Sequence, residues 1–182
     1  MKKFQLGTLA AIVVASGITL AACAEAKNEP AASGNGGGDP VVLMKTTKGD
    51  IKIKIFKSQV PITANNFLDL VNRHFYDGLS FHRFEPGFVI QGGDPLGNGS
   101  GGFIDPKTKS ERTIKLEKVP GLRHDSAGVM AMARSNDPNS ASSQFYFTLG
   151  PASFLDMNYA VFGKVVDGLK VVESLRQGGI KI

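Results

Sequence analysis

Arg83 and Gln91 are the residues of this 182-residue chain whose types and spacing best suit chemistry. Both fall in Phe81-His82-Arg83-Phe84-Glu85-Pro86-Gly87-Phe88-Val89-Ile90-Gln91-Gly92-Gly93-Asp94. Alternating strand positions there set a cation and a carboxamide among aromatic and aliphatic side chains, and Gly92-Gly93 permits close backbone approach. A second stretch, Ala131-Met132-Ala133-Arg134-Ser135 through Ser143-Gln144-Phe145-Tyr146-Phe147, adds methionine, aromatics and another amide. Phe154-Leu155-Asp156 adds a third apolar piece. An apolar pocket with a fixed guanidinium and two carboxamides is a binding site with an electrophilic donor. It contains no evident nucleophile and no carboxylate pair.

Other chemistries have weaker footing. His74, His82 and His124 are scattered, with none in a tight ligand pair, so structural or exposed histidines are expected and no metal. Gly97-Asn98-Gly99-Ser100-Gly101-Gly102 matches the dinucleotide pattern, but that pattern needs a strand before it and a helix after it. Here Pro95 precedes it and Pro106 opposes a helix, so a surface loop with positive φ and close backbone approach is expected. No Gly-x-Ser-x-Gly elbow occurs, which disfavours a hydrolase. No cofactor is expected.

The elements that must position these residues begin at Val41. Ile51, Ile53 and Ile55 alternate with Lys52 and Lys54, the period of a strand with one buried face. Val41-Val42-Leu43-Met44 precedes them across the turn residues Lys48-Gly49-Asp50, predicting a hairpin. Pro61 opens a helix with Ala64, Phe67, Leu68 and Val71 on one face, and Tyr76-Asp77-Gly78 stops it. Further strands are expected at Ser80–Phe84, Phe88–Gln91, Gly128–Ala133, Gln144–Thr148 and Ala160–Val166. A last helix is expected at Gly168–Leu175, burying Val171, Val172 and Leu175. Many strands and two helices point to a β-rich α+β or barrel architecture. The polar, turn-rich run between Gly92 and Gly128 is long enough to suggest a functional loop.

The chain is 42% hydrophobic and 20% charged, enough for one real core and too apolar for wholesale disorder. One cysteine excludes an internal disulfide framework and any Cys-cluster metal site.

Val41–Ile182 resembles the cyclophilin family of peptidyl-prolyl cis-trans isomerases. The specific motif is Phe-His-Arg-x-x-x-Gly-Phe-x-x-Gln-Gly-Gly-Asp, extended in order by Gly128-Val129-Met130-Ala131-Met132-Ala133, Ser143-Gln144-Phe145-Tyr146 and Ala160-Val161-Phe162-Gly163-Lys164-Val165. The resemblance implies a closed eight-stranded antiparallel β-barrel capped by two α-helices, with its site on the outer face. It makes Arg83 the catalytic arginine and Gln91 its orienting glutamine. Phe88, Met132, Phe145 and Leu155 become the wall of a proline pocket. Ala133, Arg134 and Gln144 become the adjoining peptide groove, with Arg134 acting mainly through its backbone. Phe154 stands where eukaryotic members carry tryptophan, Tyr159 where histidine is usual near Leu155, and Val89 where methionine is common. Arg134-Ser135 replaces a common Asn-Ala. These departures resemble bacterial variants and leave catalysis in place. Loss of the indole removes a donor and apolar area, so only weak cyclosporin binding is implied.

The first residues form an address. Lys2 and Lys3 precede an apolar run from Leu6 to Ile18, closed by Leu20-Ala21-Ala22-Cys23. That is the layout of a secretory signal, and the run is shorter than the roughly 20 residues a spanning helix needs. The ending resembles the bacterial lipobox, which implies cleavage after residue 22 and lipidation of Cys23. An ordinary cleavable signal and a plain membrane anchor are the alternatives. Ala24 resembles the sorting signal for the outer membrane, so the expected location is a membrane-anchored lipoprotein facing the periplasm or the cell surface. Residues 23–40 lack large apolar side chains and read as a flexible tether. Without Lys2 and Lys3 the chain carries 19 basic against 16 acidic residues, net +3, which gives little support for nucleic acid as a partner. The expected partners are proline-containing polypeptides, and the expected state is a monomer. A non-catalytic proline-binding module and a structural lipoprotein are the competing readings.

Overall fold

The computed structural model describes residues 38–176. The expected signal segment (residues 1–22), Cys23 and the tether up to residue 37 lie outside the described residues.

The first hairpin pairs β1 (Val41–Thr46) with β2 (Gly49–Ile55). Ile51, Ile53 and Ile55 are fully buried while Lys52 and Lys54 face out, as the period of two requires. Helix α1 (Pro61–Asn72) starts with Pro61 in its first turn and has no side-chain cap of its own. The Glu117 carboxylate supplies one from the long loop. It accepts from the backbone N–H of Ile62 (3.1 Å) and Thr63 (2.7 Å) and from the Thr63 hydroxyl (2.7 Å). These are the orphan donors of a helix start, where negative charge also meets the dipole favourably. The buried face of α1 runs through Thr63, Ala64, Asn66, Phe67 and Leu70, with Leu68 and Val71 only partly covered. Asn66 is buried because its amide donates to the Ser142 carbonyl at 2.7 Å.

Five more strands follow: β3 (Phe81–Glu85), β4 (Val89–Gly92), β5 (Val129–Met132), β6 (Phe145–Thr148) and β7 (Val161–Asp167). Among the described residues they form one antiparallel sheet in the order β1-β2-β7-β5-β6-β4-β3. The resemblance implies eight strands; seven lie within residues 38–176. Helix α2 (Leu169–Ser174) packs against β2 and buries Val172. Gly168 starts it at φ +84, where an added Cβ would sit 2.3 Å from the Asp50 carbonyl oxygen, so glycine alone fits.

One face of the sheet covers the main core. Phe67 lies 5.9 Å from Phe145, nearly edge-on, and 5.2 Å from Phe162, while Phe145 and Phe147 stand 5.7 Å apart. The opposite face carries a smaller apolar cluster of Val89, Val129, Ala131, Tyr146 and Val161. That second cluster is the foundation of the site.

Candidate functional site

Strand register places the site. Arg83 pairs with Gln91, Gln91 with Tyr146, Tyr146 with Ala131, and Ala131 with Val161. These residues therefore form one row across five strands on the outer face. The next row, Phe81, Gly92, Phe145 and Met132, faces the core. The register breaks between Phe81 and Arg83, so His82 is the extra residue of a β-bulge. Bulges re-aim side chains, and this one brings both His82 and Arg83 to the same cleft.

That cleft has a volume of about 740 Å³. Of the sequence-predicted residues, Arg83, Gln91, Phe88, Val89, Ala133, Arg134, Phe154, Leu155 and Tyr159 line it. Phe145 and Met132 do not. Both are buried in the main core, because a one-residue step along a strand reverses the face. The aromatic wall residue on β6 is Tyr146. Gln144 also stays out of the lining and works from behind.

A chain of hydrogen bonds fixes the polar side. Arg83 Nη1 donates to Gln91 Oε1 at 3.3 Å, and Gln91 Nε2 donates to Gln144 Oε1 at 2.8 Å. Gln144 Nε2 in turn donates to the carbonyls of Gly101 (2.8 Å) and Gly99 (3.0 Å). The loop holding those glycines is clamped by the buried Asp94, which accepts backbone N–H groups from Leu96 (2.8 Å), Asn98 (2.9 Å) and Gly99. Burial alone pushes the Asp94 carboxyl up, yet these three donors outweigh it and hold it below the usual carboxylate range. The loop has Gly97 and Gly99 at positive φ, as its composition predicts, and Gly97, Asn98 and Gly99 border the cleft. Glu85 approaches Arg83 at 3.4 Å. Both side chains are about half exposed, so the pair adds little stability.

The apolar side is built from Phe88, Tyr146, Leu155 and Tyr159, with Phe154 at the rim. Phe154 is 68% exposed and stacks on Phe88 at 5.5 Å. The segment 153–159 that carries three of these residues is tied down by Arg134. Its guanidinium donates to the Asn158 carbonyl through Nε (3.1 Å) and Nη2 (2.9 Å), donates to the Ser135 carbonyl (2.8 Å) and lies 4.7 Å from the Tyr159 ring centroid. The side chain of Arg134 thus shapes the groove directly, beyond the backbone role the resemblance implies.

Sequence reasoning missed His82, Tyr146 and the glycine loop as cleft residues. His82 is buried, and neither ring nitrogen has a hydrogen-bond partner. Burial lowers its pKa, with the Arg83 charge acting the same way and Asp94 and the nearby Gln144 side chain opposing. A buried polar group without a partner is unusual, and here it borders the cleft. Among the described residues no group of three or more metal-ligating side chains comes together.

The sheet order and its outer-face site define a cyclophilin-like protein. Residues 41–181 match the family described as Cyclophilin type peptidyl-prolyl cis-trans isomerase/CLD, and the chain belongs to that family. It is 43% identical over 140 residues to Peptidyl-prolyl cis-trans isomerase-like 1 of Rhizopus delemar, covering 77% of this chain and 81% of the relative. Peptidyl-prolyl cis-trans isomerase cypE of Dictyostelium discoideum is 42% identical over 137 residues, covering 75% and 85%. A crystal structure of a Cryptosporidium parvum cyclophilin type peptidyl-prolyl cis-trans isomerase superposes with a TM-score of 0.70 at 33% identity, covering 79% of this chain and 94% of that one. The same Cryptosporidium parvum protein in the presence of the dipeptide Ala-Pro superposes with a TM-score of 0.68 at 32% identity, covering 79% and 98%.

Proposed function

We propose that this chain is a peptidyl-prolyl cis-trans isomerase that speeds rotation about X–Pro bonds in flexible or unfolded segments and assists the folding of exported proteins. The observation that carries this is the Arg83 guanidinium, locked by Gln91, facing an apolar wall across one cleft. Amide resonance sets a rotation barrier of about 18–20 kcal/mol, so uncatalysed exchange takes roughly 10–100 s. Turnover near 10³ s⁻¹ requires removing roughly 5–7 kcal/mol from that barrier. In the twisted transition state the lone pair localises on the prolyl nitrogen. A guanidinium donating to that nitrogen helps only when the bond is twisted, which is the differential stabilisation catalysis needs, and one preorganised donor contributes about 3–4 kcal/mol. Phe88, Tyr146 and Leu155 grip the proline ring and exclude water while the preceding carbonyl swings. The reaction needs no covalent intermediate.

The test is a refolding reaction limited by proline isomerisation. Catalytic amounts of the chain accelerate it if this reading holds; a need for stoichiometric amounts supports the non-catalytic binding module instead.

We further propose that Cys23 is lipidated and anchors the domain to a membrane, in the outer membrane facing the periplasm or the cell surface, with the tether allowing a monomeric domain to reach its clients. The run from Leu6 to Cys23 supports this. Radioactive fatty-acid labelling of the wild type and its loss in Cys23→Ala test it. We also propose that the sheet closes into an eight-stranded barrel. Among the described residues β1 and β3 are its two end strands, the pair that closure would bring together. Slow amide exchange on the outer edges of both β1 and β3 supports closure; exchange there as fast as at a free sheet edge opposes it.

A further inference from the structure

Behind the apolar wall lies a group of side chains that the proposed mechanism does not use. His124 is fully buried. Its Nδ1 lies 2.9 Å from Asp156 Oδ1 and its Nε2 lies 2.9 Å from the Tyr146 hydroxyl. Its backbone N–H donates to the same Asp156 oxygen at 2.8 Å, and its carbonyl accepts the Ala152 N–H at 2.8 Å. The imidazole and the Tyr146 ring lie nearly parallel, 15° apart, with centroids 6.0 Å apart. His124 thus touches both ends of the 152–156 turn and the floor of the cleft.

Hydrogen-bond directions follow from the chemistry of the groups. A carboxylate only accepts, and hydrogen bonding to His124 holds the Asp156 carboxyl below its usual range. In the neutral imidazole the proton therefore sits on Nδ1. Nε2 is then an acceptor, and the Tyr146 hydroxyl must donate to it. That directs the phenolic proton away from the cleft and leaves the Tyr146 ring as the surface offered to a substrate. Tyr159 meets this ring edge-on at 6.0 Å, so rotation of Tyr146 breaks a hydrogen bond and an aromatic contact together.

We infer that Asp156, His124 and Tyr146 act as one positioning unit, in which a single carboxylate fixes both the turn carrying Phe154 and Leu155 and, through the imidazole, the Tyr146 ring opposite Arg83. The inference rests on the isomerase reading and goes beyond it by assigning proline-ring affinity to a buried polar relay. A phenylalanine at 146 would supply similar apolar area and keep the edge contact with Tyr159, but would lose the hydrogen bond that fixes its angle and leave His124 Nε2 unpaired in the interior. The unit sets how well the ring is gripped, whereas Arg83 sets how fast the gripped amide turns. Those two roles separate in kinetics.

The test is saturation kinetics on the full chain with a proline-containing peptide. Tyr146→Phe raises KM by about three- to tenfold, the loss expected for one buried hydrogen bond, with kcat within about twofold. Asp156→Asn keeps the shape and one acceptor but loses the charge, and moves KM in the same direction by less. A purely structural role predicts lower stability with unchanged KM in the folded fraction, and that result overturns the inference, as does a fall in kcat at constant KM. Should Tyr146→Phe fail to fold, the ring nitrogens of His124 in the wild type decide the matter by NMR. Their signals shift over the peptide concentrations that saturate binding if the unit supports the wall, and stay fixed if it does not. A wild type without isomerase activity whose His124 signals still respond to peptide refutes the isomerase reading and keeps the positioning unit.

Discussion

Across the cleft from one another lie a side held by strand register and a side held by capture. Arg83, Gln91 and Gln144 sit on or beside paired strands and are fixed by one another, ending on a glycine loop clamped by Asp94. The segment 153–159 has only a single 3₁₀ turn, Ser153–Leu155, with no buried residue in it. It is held from outside, by Arg134 on one flank and by His124 on the other. Regular structure preorganises the group that does the chemistry, while the gripping surface on the turn depends on a few side-chain tethers. The two sides should therefore fail differently when broken.

The largest effect falls on the register-held side. Arg83→Ala should lower kcat/KM for a proline peptide by two decades or more, matching loss of one preorganised donor worth about 3–4 kcal/mol, while peptide affinity measured by calorimetry falls less. Arg83→Lys should recover little, because an ammonium cannot reproduce the planar fork. Wild-type rates in Arg83→Ala overturn the mechanism. Gln91→Ala should cost about one decade in kcat/KM, since small misplacement of a catalytic group is expensive. The loss should appear in kcat, because the apolar grip is left intact.

Much of this molecule is legible in its sequence, and the exceptions share a cause. The hairpin, α1 and α2 and the remaining strands lie where period and turn residues predict, because those signals are local. Phe145 and Tyr146 are where local reading fails. Phe145-Tyr146-Phe147 is apolar on both faces, and no alternation tells which ring points outward. Only cross-strand pairing to Gln91 and Ala131 settles it. His82 is hidden by a bulge that no composition rule announces. Glu117 capping α1, Arg134 reaching Asn158 and His124 reaching Tyr146 are contacts distant in sequence, and spacing within a motif carries no trace of them.

The capture-held side should respond more mildly and in the other parameter. Arg134→Ala removes two donors to the Asn158 carbonyl and the cation over Tyr159. KM should rise about two- to fivefold, in keeping with hydrogen bonds at a partly exposed site, and amide exchange across 154–159 should quicken while β3 and β4 stay protected. A fall in kcat of the size expected for Gln91→Ala would erase the distinction between the two sides.

The smallest effect is thermodynamic and belongs to His82, the cleft residue that neither side holds. Burial lowers its pKa from the ordinary 6.5, so the folded state prefers the neutral ring and the unfolded chain binds the proton first. A group of that kind contributes its full stability above the unfolded value, and the contribution is lost as pH falls below about 6.5 towards the folded pKa. Urea unfolding from pH 7.5 to 5 should therefore show the midpoint of the wild type dropping more steeply than that of His82→Gln, which cannot take up the proton. Arg83 strengthens the trend, while Asp94 and the Gln144 side chain weaken it. If the two slopes coincide, the ring has found a partner. If the wild type instead gains stability on acidification, the imidazole is protonated in the folded state. In either case the open hydrogen-bonding capacity on the Arg83 side of the cleft would have to be reassigned.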